Sequence, residues 1–487
     1  MVVTCQQMSS AEERLFSSGV SDEPFMDEAG RKCAEAIEFF FPEPAHAQIF
    51  CGKGNNGGDA LVVGRLLKQR GWDVGVHFSH GPEDISKLAK RKWEQFQNEP
   101  DTRAASLRPD LILVDGLLGI GASGALRGGI REQADHINRL RIEQFGTCFA
   151  IDIPTGLNGD TGKRYEGSVV ADYTLSITAA KSGFTADDAI PAVGRLVEIP
   201  LDIPVEGDDS VRFLFPSNLR PRLPRREFAT HKGDAGRVTM VAGSRGLTGA
   251  AILTAMGASN TGAGLTTLCV ESGIYEIVAT RCPAEIMVKP FQEVAEILET
   301  NPDVLALGPG LGNDPHSDLI DLAFSHPSPA VLDADLLNAI ARDSRKFSGL
   351  PENRLLTPHP GELARMSSQS GNRISLTREL ADDWGVTLLH KGARSAIASP
   401  GQPVELNTTG HSGMASGGMG DVLTGVCASL IGQGLSTHDA ACVGSWLIGR
   451  AAEIARDKDD SAPESVTAMT MANCLGPALR DLQRGFL

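Results

Sequence analysis

Residues Cys51–Gly71 read CGKGNNGGDALVVGRLLKQRG. An apolar run, AQIFCG, leads into the glycines and a helical stretch leads out, giving the order strand, tight turn, helix. This is not a Walker loop, because Asp59 and Ala60 stand after the last glycine where that motif needs a lysine and a hydroxyl. It fits the Rossmann spacing GxGxxG only loosely, through Gly52, Gly54 and Gly57. A glycine loop carrying two asparagines and an acid asks for a different ligand arrangement.

The same pattern repeats on either side. AQIFCG, DVGVHFS, LILVDGLLGIG, CFAIDIPTG, YTLSITAA and RLVEIPL are short apolar runs ending in glycines or an acid, several followed by helical stretches. Strands alternating with helices predict a parallel sheet covered by helices. Upstream, SSAEERLFSSGVSDEPFMDEAGRKCAEAIEFFF predicts two helices. From Pro200 to about Ala229 the chain turns proline-rich and irregular, which marks a connector with one short strand. The pattern then restarts with KGDAGRVTMVAGS, TGAAILTAMGASNTGAGLTTLCV, DVLALGPGLG, AVLDADLLNAI, RLLTPHPGELARM, VTLLHKGARSAIA and MASGGMGDVLTGVCASLIGQG. The expected fold class is α/β in two domains, residues 1–208 and 209–487, each a mostly parallel sheet flanked by helices.

Composition narrows the partners. With 45 basic and 61 acidic residues in 487, the net charge is −16, which disfavours nucleic acid and anionic membranes. No apolar run approaches membrane-spanning length, and the first residues, MVVTCQQMSSAEERLF, lack a signal-peptide pattern. The nine cysteines are scattered and form no CxxC, which reads as free thiols in a reducing cytoplasm. The expectation is a cytoplasmic homo-oligomer acting on small molecules.

In the first half, polar residues gather at strand ends. GNNGGD follows one strand, Asp115 ends LILVD, and Asp152 ends CFAID before IPTG with Thr155. In open α/β sheets that edge is where ligands bind. Glycines let backbone N–H groups approach phosphate oxygens, and the helix expected to start near Gly58 adds its positive end. Asp59, Asp115 and Asp152 would repel a pyrophosphate unless a cation intervenes, and oxygen ligands suit K⁺, Na⁺ or Mg²⁺ rather than zinc. Taken singly, Asp59 reads better as a helix acid and Asp115 as a turn former; three glycine-flanked acids at successive strand ends favour a site.

NNGGDALV, VDGLLGIGASGALRG, IDIPTGLNGDTG and ITAAKSG, in this order after an MDEAG helix, resemble the epimerase domain of the NAD(P)H-hydrate repair enzymes over roughly residues 5–205. That likeness implies a Rossmann-like fold. It implies that Asn55, Asn56, Gly57, Gly58 and Asp59, with Gly119, Ile120, Gly121, Ala122, Ser123, Gly124 and Ala125, contact the hydrated dinucleotide. It also implies that Asn56, Asp115 and Thr155 hold K⁺, and that Asp152 is catalytic at the hydroxylated carbon.

In the second half, GMASGGMGDVLTG (Gly413–Gly425) opens a helix on glycines with Asp421 in its first turn. Backbone N–H groups there can hold a transferring phosphoryl group, and Asp421 can take the proton of an attacking hydroxyl. The motif resembles the anion-hole helix of ribokinase-like kinases. With THKGDAGRV, GLTGAAILTA, TGAGL, LGPGLG, LDADLLNAI, LTPHPGE and LHKG it is similar to the NAD(P)H-hydrate dehydratase domain over roughly residues 215–487. The likeness makes Asp421 the catalytic base. It brings Gly420, Lys391, Gly392, Ala393, Arg394 and Ser395 to the adenine nucleotide, and Ala250, Gly310 or Gly312, and His359 to the hydrate. His359 reads otherwise as a turn residue, Lys391 as a solvated strand-end lysine, and Asp333 and Asp335 as helix caps. Met419, Leu247 and SNTGAG depart from the family pattern without removing a catalytic group.

Together the resemblances imply a bifunctional metabolite-repair enzyme. One domain would interconvert the R and S hydrates of NADH and NADPH. The other would dehydrate the S epimer using ADP with Mg²⁺, by phosphorylation and loss of phosphate. The competing reading is a ribokinase-like small-molecule kinase with a non-catalytic N-terminal binding module.

Overall fold

The computed structural model describes residues 1–458 and 461–485, so the expected domain end at residue 487 lies outside the described residues. The chain divides into two compact units, with the break after Asp209.

In the first unit, six parallel strands lie in the order Asp73–Phe78, His46–Cys51, Leu111–Gly116, Thr147–Ile151, Tyr173–Ile177, Arg195–Ile199. The central runs LILV and CFAI are almost wholly buried, as strands covered on both faces must be. The chain order reverses beside His46–Cys51, so the loops after it and after Leu111–Gly116 leave on opposite sides and open a crevice. Both expected N-terminal helices form, as Cys5–Ser17 and Glu23–Phe40. The second buries Met26, Ala29, Gly30, Cys33, Ala34 and Ile37, a stripe at three- and four-residue spacing. One expectation needs correction. The loop helix starts at Asn55, not near Gly58, and runs Asn55–Gln69 with Gly54 as its N-cap. Asparagine is at home at a helix start, so the first turn reaches back into the loop.

The second unit is built on ten strands, ordered Met287–Phe291, Leu265–Glu271, Arg237–Val241, Val304–Leu307, Ala330–Leu332, Arg354–Leu356, Thr387–His390, Ala396–Ala398, Val404–Leu406, Val211–Phe213. The first seven are parallel, and Ala396–Ala398 pairs antiparallel with both of its neighbours. The order reverses beside Arg237–Val241, so this unit also has a switch point. The short strand expected in the connector is Val211–Phe213, at the sheet edge. Met287–Phe291 carries Pro290, which an edge strand tolerates. Three helices pack on the sheet, Thr248–Asn260, Met419–Gly432 and Thr437–Lys458, and their buried faces join one apolar core.

Small residues set that packing. A Cβ at Gly425 would stand 1.9 Å from the Thr254 carbonyl oxygen of the facing helix. Alanine gains about 1 kcal/mol over glycine in a helix, but overpacking costs about 1–3 kcal/mol, and here a backbone must move. We expect Gly425→Ala to lower stability by about 2 kcal/mol. Urea unfolding of both proteins measures it, and an unchanged or raised midpoint contradicts the packing argument.

Candidate active sites

The crevice of the first unit opens into a cavity of about 790 Å³. Its rim is made of the two glycine loops. They meet closely: Gly52 N–H donates to the Gly116 carbonyl at 3.0 Å, and a Cβ on Gly52 would sit 1.8 Å from the Leu117 oxygen. Asn55, Asn56, Asp59, Asp152 and every residue from Gly119 to Ala125 line the cavity. Gly57 and Gly58 are instead buried within the helix, against the Gly52 carbonyl and Met26.

Asp115 and Thr155 are buried and, unlike Asn56, are not among the residues that line the cavity. Asp115 Oδ1 accepts from Thr155 Oγ1 at 2.7 Å and from Leu117 N–H at 3.2 Å, and Oδ2 accepts from Thr155 N–H at 2.8 Å. Asn56 Nδ2 donates to the Leu118 carbonyl at 2.9 Å, and Leu118 N–H donates to Thr155 Oγ1 at 3.1 Å, so the three residues form one mesh. Burial pushes the Asp115 carboxyl up to about 6 despite these neutral donors. Its oxygens are thus held by two backbone N–H groups and the Thr155 hydroxyl, all neutral donors.

Asp152 sits in a buried turn with a cost. Its φ is +64°, and Ile153 N–H donates to the Ile151 carbonyl across it at 2.8 Å, a three-residue γ-turn. Left-handed backbone at a residue other than glycine costs about 1–3 kcal/mol and concentrates at functional sites. The turn is held by the side chain: Asp152 Oδ1 accepts from Ile177 N–H at 3.1 Å and from Lys181 Nζ. Lys181 is completely buried and also donates to the Ile177 and Ala179 carbonyls, each at 3.0 Å. Lys181 was not among the site residues expected from sequence, although ITAAKSG contains it. A lysine closing a buried strand run is the signal that marks it.

In the second unit, Asp421 lies in the first turn of Met419–Gly432, after the left-handed N-cap Gly418. Burial first, and then the Asp333 carboxylate, push it up to about 6 against the pull of Lys391. Lys391 Nζ donates to Asp333 Oδ1 at 2.8 Å, lies 3.8 Å from Glu362, and stands close over Gly420. Burial lowers the Lys391 ammonium, but Asp333 and Glu362 more than offset this and it is raised overall. Lys391 is therefore not a solvated lysine. Asp333 occupies an N-cap position without capping; its Oδ2 accepts from Thr424 Oγ1 at 2.7 Å instead. Asp335 Oδ2 accepts from Gly312 N–H at 2.8 Å, which ties the glycine turn of residues 308–312 to the acid cluster. Gly310 packs on Ala250, so these two expected residues also meet.

His359 is exposed and caps Pro360–Met366, accepting from Gly361 N–H at Nδ1, while Glu362 accepts from the His359 N–H at 2.8 Å. It thus does turn work and also borders the cluster. Gly392 and Ala393 are exposed, and Ser395 closes their turn by a hydrogen bond from Gly392 N–H at 3.3 Å. Arg394 turns inward, 5.3 Å over the Phe213 ring, and burial lowers it to about 10. A second group, Glu405, His438 and Cys442, brings its ligand atoms within 4.8 Å. Arg222 already donates to both Glu405 oxygens at 2.6 Å, with His438 at 3.1 Å and Cys442 at 2.9 Å, so the carboxylate is saturated as an ion-pair network.

Fold and sites together define a two-domain α/β enzyme with one acid cluster per unit, the second in a ribokinase-like frame. A ribokinase-like superfamily protein of Enterococcus faecalis is similar in structure, with a TM-score of 0.52 and 24% identity over 57% of this chain and 99% of that one. Residues 238–473 match the model of NAD(P)H-hydrate dehydratase, and residues 22–183 match that of the YjeF-related protein N-terminus. The bifunctional NAD(P)H-hydrate repair enzyme of Moorella thermoacetica is 37% identical over 99% of this chain and 97% of its own. That of Thermofilum pendens is 32% identical over 96% and 94%. The chain belongs to the bifunctional NAD(P)H-hydrate repair enzyme family. Among the described residues no helix is long and apolar enough to cross a membrane.

Removing the Lys181 ammonium strands the Asp152 carboxylate. We expect Lys181→Met to cost about 2 kcal/mol, below the ~3–5 kcal/mol of a fully enclosed pair because Asp152 opens on the cavity. Adding Asp152→Asn should recover most of that loss, since asparagine tolerates positive φ and carries no charge. A double-mutant cycle by chemical denaturation measures the coupling, and additive losses contradict it.

Proposed function

We propose that the chain repairs hydrated NADH and NADPH, with residues 1–208 as the epimerase domain and 209–487 as the dehydratase domain. The observation that carries this reading is the end-to-end likeness to bifunctional NAD(P)H-hydrate repair enzymes, with an acid-centred site in each half. The alternative kinase reading, with a non-catalytic N-terminal binding module, would leave the strained Asp152 without use.

In the first unit the dinucleotide lies along the Asn55–Asp59 turn and the Gly119–Ala125 loop, and Asp152, fixed by Lys181, handles the proton at the hydroxylated carbon. Asp115, Asn56 and Thr155 would hold K⁺, which supplies positive charge against the pyrophosphate. In the second unit Gly420 and the Lys391–Ser395 turn meet the adenine nucleotide, ADP with Mg²⁺. The Arg394 side chain is instead buried against Phe213. Ala250, Gly310, Gly312 and His359 meet the hydrate. Asp421 takes the hydroxyl proton as the hydroxyl oxygen attacks the terminal phosphoryl group. Phosphate then leaves with the C–O bonding pair, a proton leaves the neighbouring carbon, and the ring double bond returns. Phosphorylation turns a poor leaving group into a good one, which explains a dehydratase on a kinase frame. The same reading includes a cytoplasmic homo-oligomer.

The deciding assay follows recovery of reduced-nicotinamide absorbance from an epimer-resolved hydrate with ADP or ATP. Recovery with free phosphate supports the proposal, and an accumulating phospho-product would mark a small-molecule kinase instead. Asp421→Asn should slow nucleotide-dependent dehydration by ~10²–10⁴-fold and spare epimerisation. Because the base must be ionised, the wild-type dehydration rate should fall with acid through about pH 6, the position of Asp421. A rate flat from pH 7 to pH 5 contradicts Asp421 as the base.

Asp115→Ala should abolish any K⁺ dependence of epimerisation while dehydration of the S epimer continues. Titration of both proteins with KCl at constant ionic strength measures this. Equal K⁺ responses would remove Asp115 from the cation site.

A further inference from the structure

Glu12 stands on the helix Cys5–Ser17 in line with Met8 and Phe16, and all three line the cavity that Asp152 and Lys181 reach from the sheet edge. The helix is fixed in place. Thr4 caps it, Cys5 N–H donates to Asp160 Oδ1 at 2.6 Å, and Met8 and Ala11 pack with Val3 and Ile203. Glu12 is half-buried and has no hydrogen-bond or ion-pair partner among the described residues. A carboxyl group held in a cavity wall without a partner has no stabilising role there. This helix also precedes residue 22, where the match to the N-terminal family model begins.

We infer that Glu12 is a second acid–base group of the N-terminal site, serving a different side of the reacting carbon from Asp152. The inference rests on the epimerase reading and deepens it. The reacting hydroxyl sits on a ring carbon bonded to the ring nitrogen, where water adds to an enamine. Inversion needs that C–O bond to break, its electron pair staying on oxygen. The oxygen takes a proton from one carboxyl group and leaves as water, while the nitrogen lone pair forms the C=N bond. Water then adds to the other ring face through its own electron pair, the nitrogen regains its lone pair, and the surplus proton passes to the second carboxylate. Protons and electrons balance with no further reactant. One carboxylate cannot reach both faces of a flat ring, so two are required, reaching the cavity from different elements.

The electrostatics agree. Burial first, then the Asp152 carboxylate, push Glu12 up to about 7, with Lys181 pulling the other way. Asp59 faces the same space and is itself raised well above the usual carboxylate range by burial, Asp152 and Glu12. Near neutral pH Glu12 therefore exists in both the form that donates and the form that accepts.

The test is the second phase of hydrate consumption, after the S epimer is exhausted, measured above the spontaneous rate across pH 5–9. Glu12→Gln should cut its kcat by ~10²-fold, leave KM and the first, dehydration phase unchanged, and remove a limb near pH 7. Glu12→Asp should restore part of the rate with that limb displaced. A Glu12→Gln protein with wild-type kcat and an unchanged profile overturns the role of Glu12 while the epimerase reading stands. If Glu12→Gln is poorly folded by its thermal midpoint, the Glu12→Asp profile decides, and an undisplaced limb overturns the proposal. A wild-type protein with no second phase above the spontaneous rate overturns both.

Discussion

One lysine set against several desolvated carboxylates is the constraint on which both units turn. In the first, Lys181 faces Asp152, with Glu12 and Asp59 sharing the same space. In the second, Lys391 faces Asp333, with Glu362 and Asp421 beside it. Burial without full compensation raises Glu12 to about 7 and Asp421 to about 6, and carries Asp59 upward as well. Carboxyl groups that would be inert bases at pH 7 on a surface become proton carriers in these crevices. The same excess of negative charge makes each crevice a poor host for a bare pyrophosphate and a good one for a phosphate accompanied by a cation.

Holding acids at strand ends also sets the backbone. Asp152 accepts a γ-turn at positive φ, and Thr178, at φ +63°, makes a second such turn beside it, where Ala179 N–H donates to the Ile177 carbonyl at 2.7 Å. Lys181 reads both turns at once, through the Asp152 carboxylate and through the Ile177 and Ala179 carbonyls. The lysine is therefore as much a backbone clamp as a countercharge. The glycine loops do the complementary task. At Gly52 the backbone passes so close to Leu117 that no side chain fits, and this contact shapes the crevice mouth.

Most of this frame is legible in the residues, because strand, glycine turn and terminal acid are neighbours in sequence. The six strands of the first unit and the helix bearing Asp421 follow from such local patterns. What escapes is what the sheet brings together from afar. Lys181 lies 29 residues from Asp152, Lys391 lies 58 from Asp333, and Thr424 lies 91 from it. Asp333 shows the difficulty plainly: its position is that of a cap, yet its carboxylate is recruited by the distant lysine. The three-residue strand Val404–Leu406 is too short for any alternation to register, and the start of the loop helix at Asn55 is hidden because asparagine suits turn and helix start alike.

The two charge networks each close within their own unit. Glu12, Asp59, Asp152 and Lys181 all precede Asp209, and Asp333, Glu362, Lys391 and Asp421 all follow it. Each site is thus built from residues of its own unit, which suits it to its own proton step. Epimerisation must give a proton to the departing oxygen and take one from the entering water without net change, which favours carboxyl groups balanced between their two forms. Phosphoryl transfer must only take a proton, which favours a base ionised at neutral pH, as Asp421 at about 6 is and Glu12 at about 7 is only in part. Under the proposed function, the difference between the two sites follows from that demand.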